Sequence, residues 1–396
     1  QAFFTVDDFA DIYEQIEHNG LEWRQVFAGG RSKAYQEYVE ARQQEQVGLA
    51  AGGKGETAVA RKQFSPRQSL RQFITLAQRM LRLTLSDPVA FFVALLVMPL
   101  VGILQGAASE TYEFTGDPAI LNNAAQAAET LTSNYLPAIS AQIFGFGMSI
   151  LAFLVGAFGG SQELLKERSV YLRERMVNLK LLPYLGSKFL VFGLFALAQV
   201  ALYLLILSLQ VELPQNGVLF KGFLELLITL WLTLMVGVAT GLFISAVSSN
   251  STMAVYLVLV IVFFQYIFGG AIHNLRDKPI EFQSYIAATR WATLAMGTTV
   301  DILEQAESTI VCGNELELDT SSLTLDPATG SLDPNSLALR ETDTAACTNR
   351  AVPQDELFLP YGDSETDLLR FWGLQLVLGA LFALGTLLVV KRLDRV

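Results

Sequence analysis

The chain has 396 residues, of which 52% are hydrophobic and only 16% charged, and its mean hydropathy is +0.39. That balance places much of the chain in a bilayer rather than in a water-soluble core, and it offers no basic surface for a nucleic acid. The net charge of −11 is uneven: residues 272–366 hold 16 Asp/Glu against five Lys/Arg, so the acidity describes one loop rather than a choice of partner.

In chain order, residues 1–46 read as soluble and helical, with Phe3, Phe9, Ile12 and Ile16 at helix-compatible spacing. Forty-odd residues bury too little to fold alone, so they are expected to pack on something outside this chain. Residues 47–64 read as a linker. Gly48, Gly53 and Lys54 imitate the start of a phosphate-binding loop, but Gly55 stands where a Ser or Thr would hold magnesium, and neither a strand nor an apolar helix flanks it. No nucleotide or metal is expected on this chain, and it is not expected to hydrolyse ATP alone.

Residues 65–87 predict an amphipathic helix. Leu70, Phe73, Ile74, Ala77 and Leu81 form one face, and Arg67, Arg71, Arg79 and Arg82 the other. Ser65-Pro66 supplies its start. Such a helix lies at a membrane surface. Asp87-Pro88 then turns into the first of six runs long enough to cross about 30 Å of hydrocarbon. The runs are Val89–Gly106, Ile139–Gly160, Phe189–Leu209, Phe223–Val247, Met253–Ile272 and Phe371–Val390. The fold class is therefore an all-α membrane protein with six transmembrane helices. Lys and Arg gather in residues 1–85 (eleven), 162–188 (six) and 391–396 (three), whereas 105–138 has none. Positive residues are retained on the cytoplasmic side, so both termini and the 162–188 loop are read as cytoplasmic, in an inner membrane.

Gln162–Lys180 is the densest charged stretch between spans, with Leu164, Leu165, Tyr171 and Leu172 set among Lys166, Arg168, Arg173 and Arg175. It predicts a helix running to Pro183. Two roles fit: a lever moved by a soluble partner, or an interfacial helix on anionic headgroups. Inside the spans, Gln199 and Gln265 read as interhelical hydrogen-bond partners, and the Gly- and Ala-rich second span, which carries Gln142, as a close-packing surface. Glu225 and Arg370, near span ends, read as snorkelling side chains. No span carries a mid-membrane ionisable group, which disfavours an ion-coupled carrier. Ile286–Thr299 is too short to cross and reads as a re-entrant hairpin, followed by a polar external lobe. The two cysteines, Cys312 and Cys347, lie in that lobe on the expected oxidising side. A disulfide is the leading reading and two free thiols the alternative.

Taken together, these features resemble the membrane half of an ABC exporter of the ABCG (White) type, as found in bacteria behind a fused ATPase domain. The resemblance rests on Ser65–Pro88 as connecting helix, on Glu163, Glu167-Arg168, Tyr171 and Arg173-Glu174 after span two, and on Phe268-Gly269-Gly270, Asn274 and Arg290-Trp291 with the Cys-containing loop. It implies that 1–46 ends or extends an ATPase domain and that 88–396 is a six-span permease with its external loop at 272–366. The implied partners are an ABC ATPase domain, holding ATP and magnesium, a second copy of the chain, and membrane lipids. It also implies a coupling region of Glu163, Glu167, Arg168, Tyr171, Arg173, Glu174 and Arg175, latched to Arg79 and Arg82. Met148, Ala152, Val155, Val262 and Tyr266 would face a substrate cavity, and Ala271 and Ile272 an external plug. The expected function is export of an amphipathic or lipid-like molecule by alternating access. A membrane-anchored receptor using the acidic loop is the alternative.

Overall fold

The chain divides into units Gln1–Ser65 and Pro66–Val396. The computed structural model describes residues 66–393 except 124–125, 128–130, 132–133, 177–178, 277, 314–315, 319–338, 342–345 and 350–356. The helical reading of 1–46, the linker, the phosphate-loop imitation, Ser65 and most of the external lobe therefore lie outside the described residues.

The helices are α1 (Pro66–Ser86), α2 (Pro88–Ala107), α3 (Pro118–Leu121), α4 (Pro137–Ser161), α5 (Glu163–Met176), α6 (Leu181–Leu207), α7 (Gly222–Val247), α8 (Ser251–Phe268), α9 (Glu281–Ser284), α10 (Ala288–Thr299), α11 (Ile302–Glu307) and α12 (Glu365–Leu393). Six of them, α2, α4, α6, α7, α8 and α12, are long and apolar enough to cross a membrane. Two antiparallel strand pairs lie between α11 and α12: β1 (Ile310–Gly313) with β4 (Ala346–Asn349), and β2 (Leu316–Leu318) with β3 (Leu339–Glu341). In the first pair Cys312 and Cys347 stand directly opposite each other.

Span α7 is the axle of the bundle, 72% of its apolar window being buried against 17% for α8. Its seam with α4 is built from four glycines. A Cβ on Gly156 or Gly160 would stand 2.1 Å from the carbonyl of Leu234 or 2.6 Å from that of Val238. Reciprocally, a Cβ on Gly237 or Gly241 would stand 2.4 Å from the Phe153 carbonyl or 2.3 Å from that of Ala157. Without a hydrophobic drive between helices in lipid, such backbone approach is what holds spans together.

Several boundaries differ from the sequence reading for local reasons. The helix after span two ends at Met176, and α6 starts at Leu181 with Pro183 in its first turn, where a missing N–H costs nothing. Asp87 is outside α1; its carboxylate accepts the Ala90 N–H at 3.1 Å and caps α2. Span α8 stops at Phe268 rather than Ile272. There, any Cβ on Gly269 would meet Phe146 and the Gln265 carbonyl, and Gly270 has φ +80°, a conformation glycine takes without strain. Glu225 does not snorkel. It is fully buried in the first turn of α7 and accepts the N–H groups of Leu219 (2.5 Å) and Phe220 (2.7 Å).

Candidate functional site

Two joints sit at opposite ends of the bundle. At the α5 end, the chain leaves α4 through the single residue Gln162 and enters α5 at once. The first N–H groups of α5 lack intrahelical acceptors. Ser245 of α7 supplies one, its hydroxyl accepting from Leu164 N (3.0 Å) and Leu165 N (3.1 Å), while the Gln162 amide donates to the Ser251 carbonyl at 3.3 Å, at the start of α8. Glu163 and Glu167, one turn apart, both reach Lys188 of α6 at 2.7 Å. Lys188 is only 3% exposed, and Tyr184 also donates its hydroxyl to Glu167 at 3.1 Å. The Tyr171 and Tyr184 rings pack with centroids 4.9 Å apart. Farther along, Glu174 pairs with Arg79 of α1 at 2.5 Å, both partly exposed. Lys180 donates to the Ser69 hydroxyl at 2.8 Å.

Helix α5 is thus tied to α1, α6 and α7, and the α4–α5 junction to the start of α8. The expected latch is divided: Arg79 takes Glu174, but Glu163 and Glu167 go to Lys188 rather than to Arg79 or Arg82. The reason is depth, because a lysine inside apolar surroundings needs a carboxylate more than an exposed arginine does. Arg82, Arg168 and Arg173 are exposed and make no ion pair among the described residues. Arg175 instead donates to the carbonyl of Leu179, closing the turn between α5 and α6. The faces of α5 are less cleanly divided than the sequence implied, with Leu164 and Tyr171 buried but Leu172 exposed.

Of the expected cavity residues, Met148 and Ala152 are wholly buried in the bundle. Val155 opens into a cleft of about 500 Å³ between α1, α2, α4, α6 and α7, with Glu163, Lys166 and Glu167 at its charged end. Val262 is half-buried and Tyr266 is 44% exposed on α8, its ring 6.0 Å from that of Phe146 on α4.

The other joint surrounds α10, every residue of which is buried. A semi-polar helix tolerates this because its hydroxyls are satisfied: Thr293, Thr298 and Thr299 donate to carbonyls one turn back, and Thr289 donates to the Gln265 carbonyl on α8 at 3.0 Å. Gln265 in turn accepts the Thr289 N–H at 3.1 Å. Gln142 of α4 donates to the Ala271 carbonyl at 2.8 Å and accepts from the Tyr361 hydroxyl at 3.0 Å. Ala271 is therefore a buried strut, with Ile272 half-buried behind it. Gln199 donates to the Ala94 carbonyl of α2 at 2.6 Å, so Gln142, Gln199 and Gln265 each bridge separate segments of the bundle. Burial raises the pKa of the Tyr361 phenol, which keeps it a donor, and lowers that of the Arg290 guanidinium.

Sequence reasoning passed over Lys188, Ser245 and the α7 half of the glycine seam. A lysine one turn past Pro183, with two glutamates one turn apart upstream, was a readable signal, as was Gly237-x-x-x-Gly241.

Among the described residues no group of His, Cys, Asp and Glu could hold a metal ion. Residues 71–302 match the ABC-2 type transporter family. The chain is also 28% identical over 238 residues, 59% of its length, to the ABC transporter ATP-binding/permease protein Rv1747 of Mycobacterium tuberculosis. That alignment spans 26% of the relative. With six apolar helices in one bundle and a family match across more than half its length, the chain belongs to the ABC-2 type transporter family, as a multi-pass transporter membrane subunit.

Proposed function

We propose that this chain is the membrane half of an ATP-driven exporter of the ABCG type, which moves an amphipathic or lipid-like substrate across the cytoplasmic membrane by alternating access. It works with an ABC ATPase domain N-terminal on the same polypeptide, which binds ATP and magnesium, and as a homodimer with α8 of each copy toward the two-fold axis. Termini and α5 are cytoplasmic, α10 and the strands external, with Cys312 and Cys347 joined as a disulfide.

The observation that carries this reading is the way α5 is tied at once to α1, α6 and α7, with Lys188 buried between Glu163 and Glu167 and the α4–α5 junction bonded to α8. A helix held so can pass a push from outside the bilayer to several membrane elements together. Its outward residues Arg168 and Arg173 are exposed for a partner. The mycobacterial relative, named an ATP-binding/permease protein, supports an ATPase on the same chain. The little-buried α8 supports a further helical surface against it. Opposed cysteines in an antiparallel pair support the disulfide. A push does work only if ATP-bound and free states differ in contact energy at α5.

The test is reversal of Arg173 to Glu in the full-length polypeptide, reconstituted in liposomes. Substrate-stimulated ATPase should fall at least about tenfold, the effect of a 1.4 kcal/mol loss in coupling, while basal ATPase and dimer assembly persist. Unchanged stimulation would refute the lever. Arg175 is unsuited to this test because it closes the α5–α6 turn.

A further inference from the structure

At the α10 end, a cavity of about 440 Å³ lies between α10, the 360–363 segment and the start of α12. Four charged side chains line it: Arg290 and Arg370, and Asp363 and Asp367. Arg370 and Asp363 are exposed and, although they share one cavity, neither makes an ion pair among the described residues. Arg290 is 3% exposed. It donates to the Ser284 hydroxyl at 2.8 Å, stands 3.7 Å from Glu281, and its Nε has no acceptor. Charges of both signs thus line one ligand-sized space, Arg290 lying within ion-pair reach of Glu281 and Asp367 accepting the Ser364 hydroxyl at 2.5 Å.

From this we propose that the cavity binds the zwitterionic headgroup of a membrane lipid, its phosphate held by Arg290 and Arg370 and its primary amine by Asp363 and Asp367. Guanidinium groups suit phosphate oxygens, and an ammonium brings three donors to carboxylates. A purely anionic headgroup would satisfy the arginines but leave its own charge against two aspartates. A purely cationic one would meet the reverse. The location selects a lipid over a free solute. The apolar stretch of α12 begins at Phe371, directly after Arg370, and Phe282, Tyr285 and Ile286 are exposed beside the cavity. Tyr285 and Trp291 both line it, as aromatic residues do at the edge of the hydrocarbon. Acyl chains attached to the bound head would therefore lie along α12 in lipid. The proposal rests on this cavity alone and is independent of how transport is driven.

The experiment uses the delipidated full-length protein, with bound lipid counted by native mass spectrometry. Dioleoylphosphatidylethanolamine is compared with dioleoylphosphatidylglycerol, and soluble O-phosphoethanolamine serves as competitor. Expected is retention of the ethanolamine lipid over the glycerol lipid by roughly tenfold, a 1.4 kcal/mol preference. Arg370→Gln and Asp363→Asn should each abolish that preference without changing Tm, both side chains being exposed, and Asp363→Glu should keep it. Equal retention of the two lipids, or a preference that survives both substitutions, would overturn the site. Displacement by micromolar O-phosphoethanolamine would overturn the lipid assignment; displacement only at millimolar levels supports it.

Discussion

The two ends of the bundle are fastened by different chemistry. At the α5 end the ties are ionic: Lys188 with two glutamates, and Arg79 with Glu174. At the α10 end they are mainly neutral hydrogen bonds made by Gln142, Gln265, Thr289 and Tyr361. Coulomb attraction falls slowly with distance, whereas an amide hydrogen bond weakens steeply once bent or stretched. An ionic joint can therefore slide while staying attached, and an amide joint holds one geometry. The difference teaches that a transport motion, under the proposed function, would be accommodated where α5 meets α6 and α1, with the α10 end holding position.

Lys188→Met should break this contrast most. It strands two carboxylates that are 22% and 24% exposed, so the cost should lie between about 1 kcal/mol for an exposed pair and about 3–5 kcal/mol for a fully buried one. Thermal unfolding in detergent should register the loss, and the triple variant Lys188→Met/Glu163→Gln/Glu167→Gln should recover most of it. A loss below about 1 kcal/mol would mean the clamp is effectively solvated, and the two ends would then be alike.

Next comes the seam from which both ends hang. Gly241→Ala places a methyl 2.3 Å from the Ala157 carbonyl, so α4 and α7 must part. Overpacking of this kind costs about 1–3 kcal/mol. Unlike the lysine change, it should be insensitive to charge substitutions at α5. Recovery of its Tm by Glu163→Gln would show that seam and clamp are one unit.

At the far end, Gln142→Leu leaves the Ala271 carbonyl buried without its donor and removes one acceptor of the Tyr361 hydroxyl, a cost of about 1–3 kcal/mol. The sharper signature is positional. Hydrogen exchange should rise at 269–272 and 359–362 while α5 stays protected. Exchange rising equally at α5 would deny that the two ends are separate.

The sequence made this division partly legible. Periodicity and length located the six spans to within a few residues at most ends, and the charge pattern marked α5 as unusual. Glutamines in apolar runs read as bridging helices, and Gln199 and Gln265 do so. What periodicity cannot carry is pairing across the chain. Lys188 sits 21 and 25 residues from its two partners, and nothing local prefers it to Arg79. Glu225 misled because its acceptors' task lies in the preceding loop, where the N–H groups of Leu219 and Phe220 needed it. The early start of α6 was hidden by reading Pro183 as a stop, when a first-turn proline is equally a start.

The smallest effect belongs to Arg79 and Glu174. Their side chains are 39% and 31% exposed, so solvent screens the attraction and the pair contributes only about 0–1 kcal/mol. Arg79→Ala should therefore barely move Tm, and whatever it moves should vanish by about 1 M salt, where the screening length is near 3 Å. Its consequence should be dynamic instead. With α1 released from α5, a spin-label pair on Arg67 and Arg168 should show a broader distance distribution than in the unaltered protein. The same labels in the Gln142→Leu variant should show the original width. If Arg79→Ala instead destabilised the protein as much as Lys188→Met does, the α5 end would be a rigid anchor, and the sliding joint would have to be sought elsewhere.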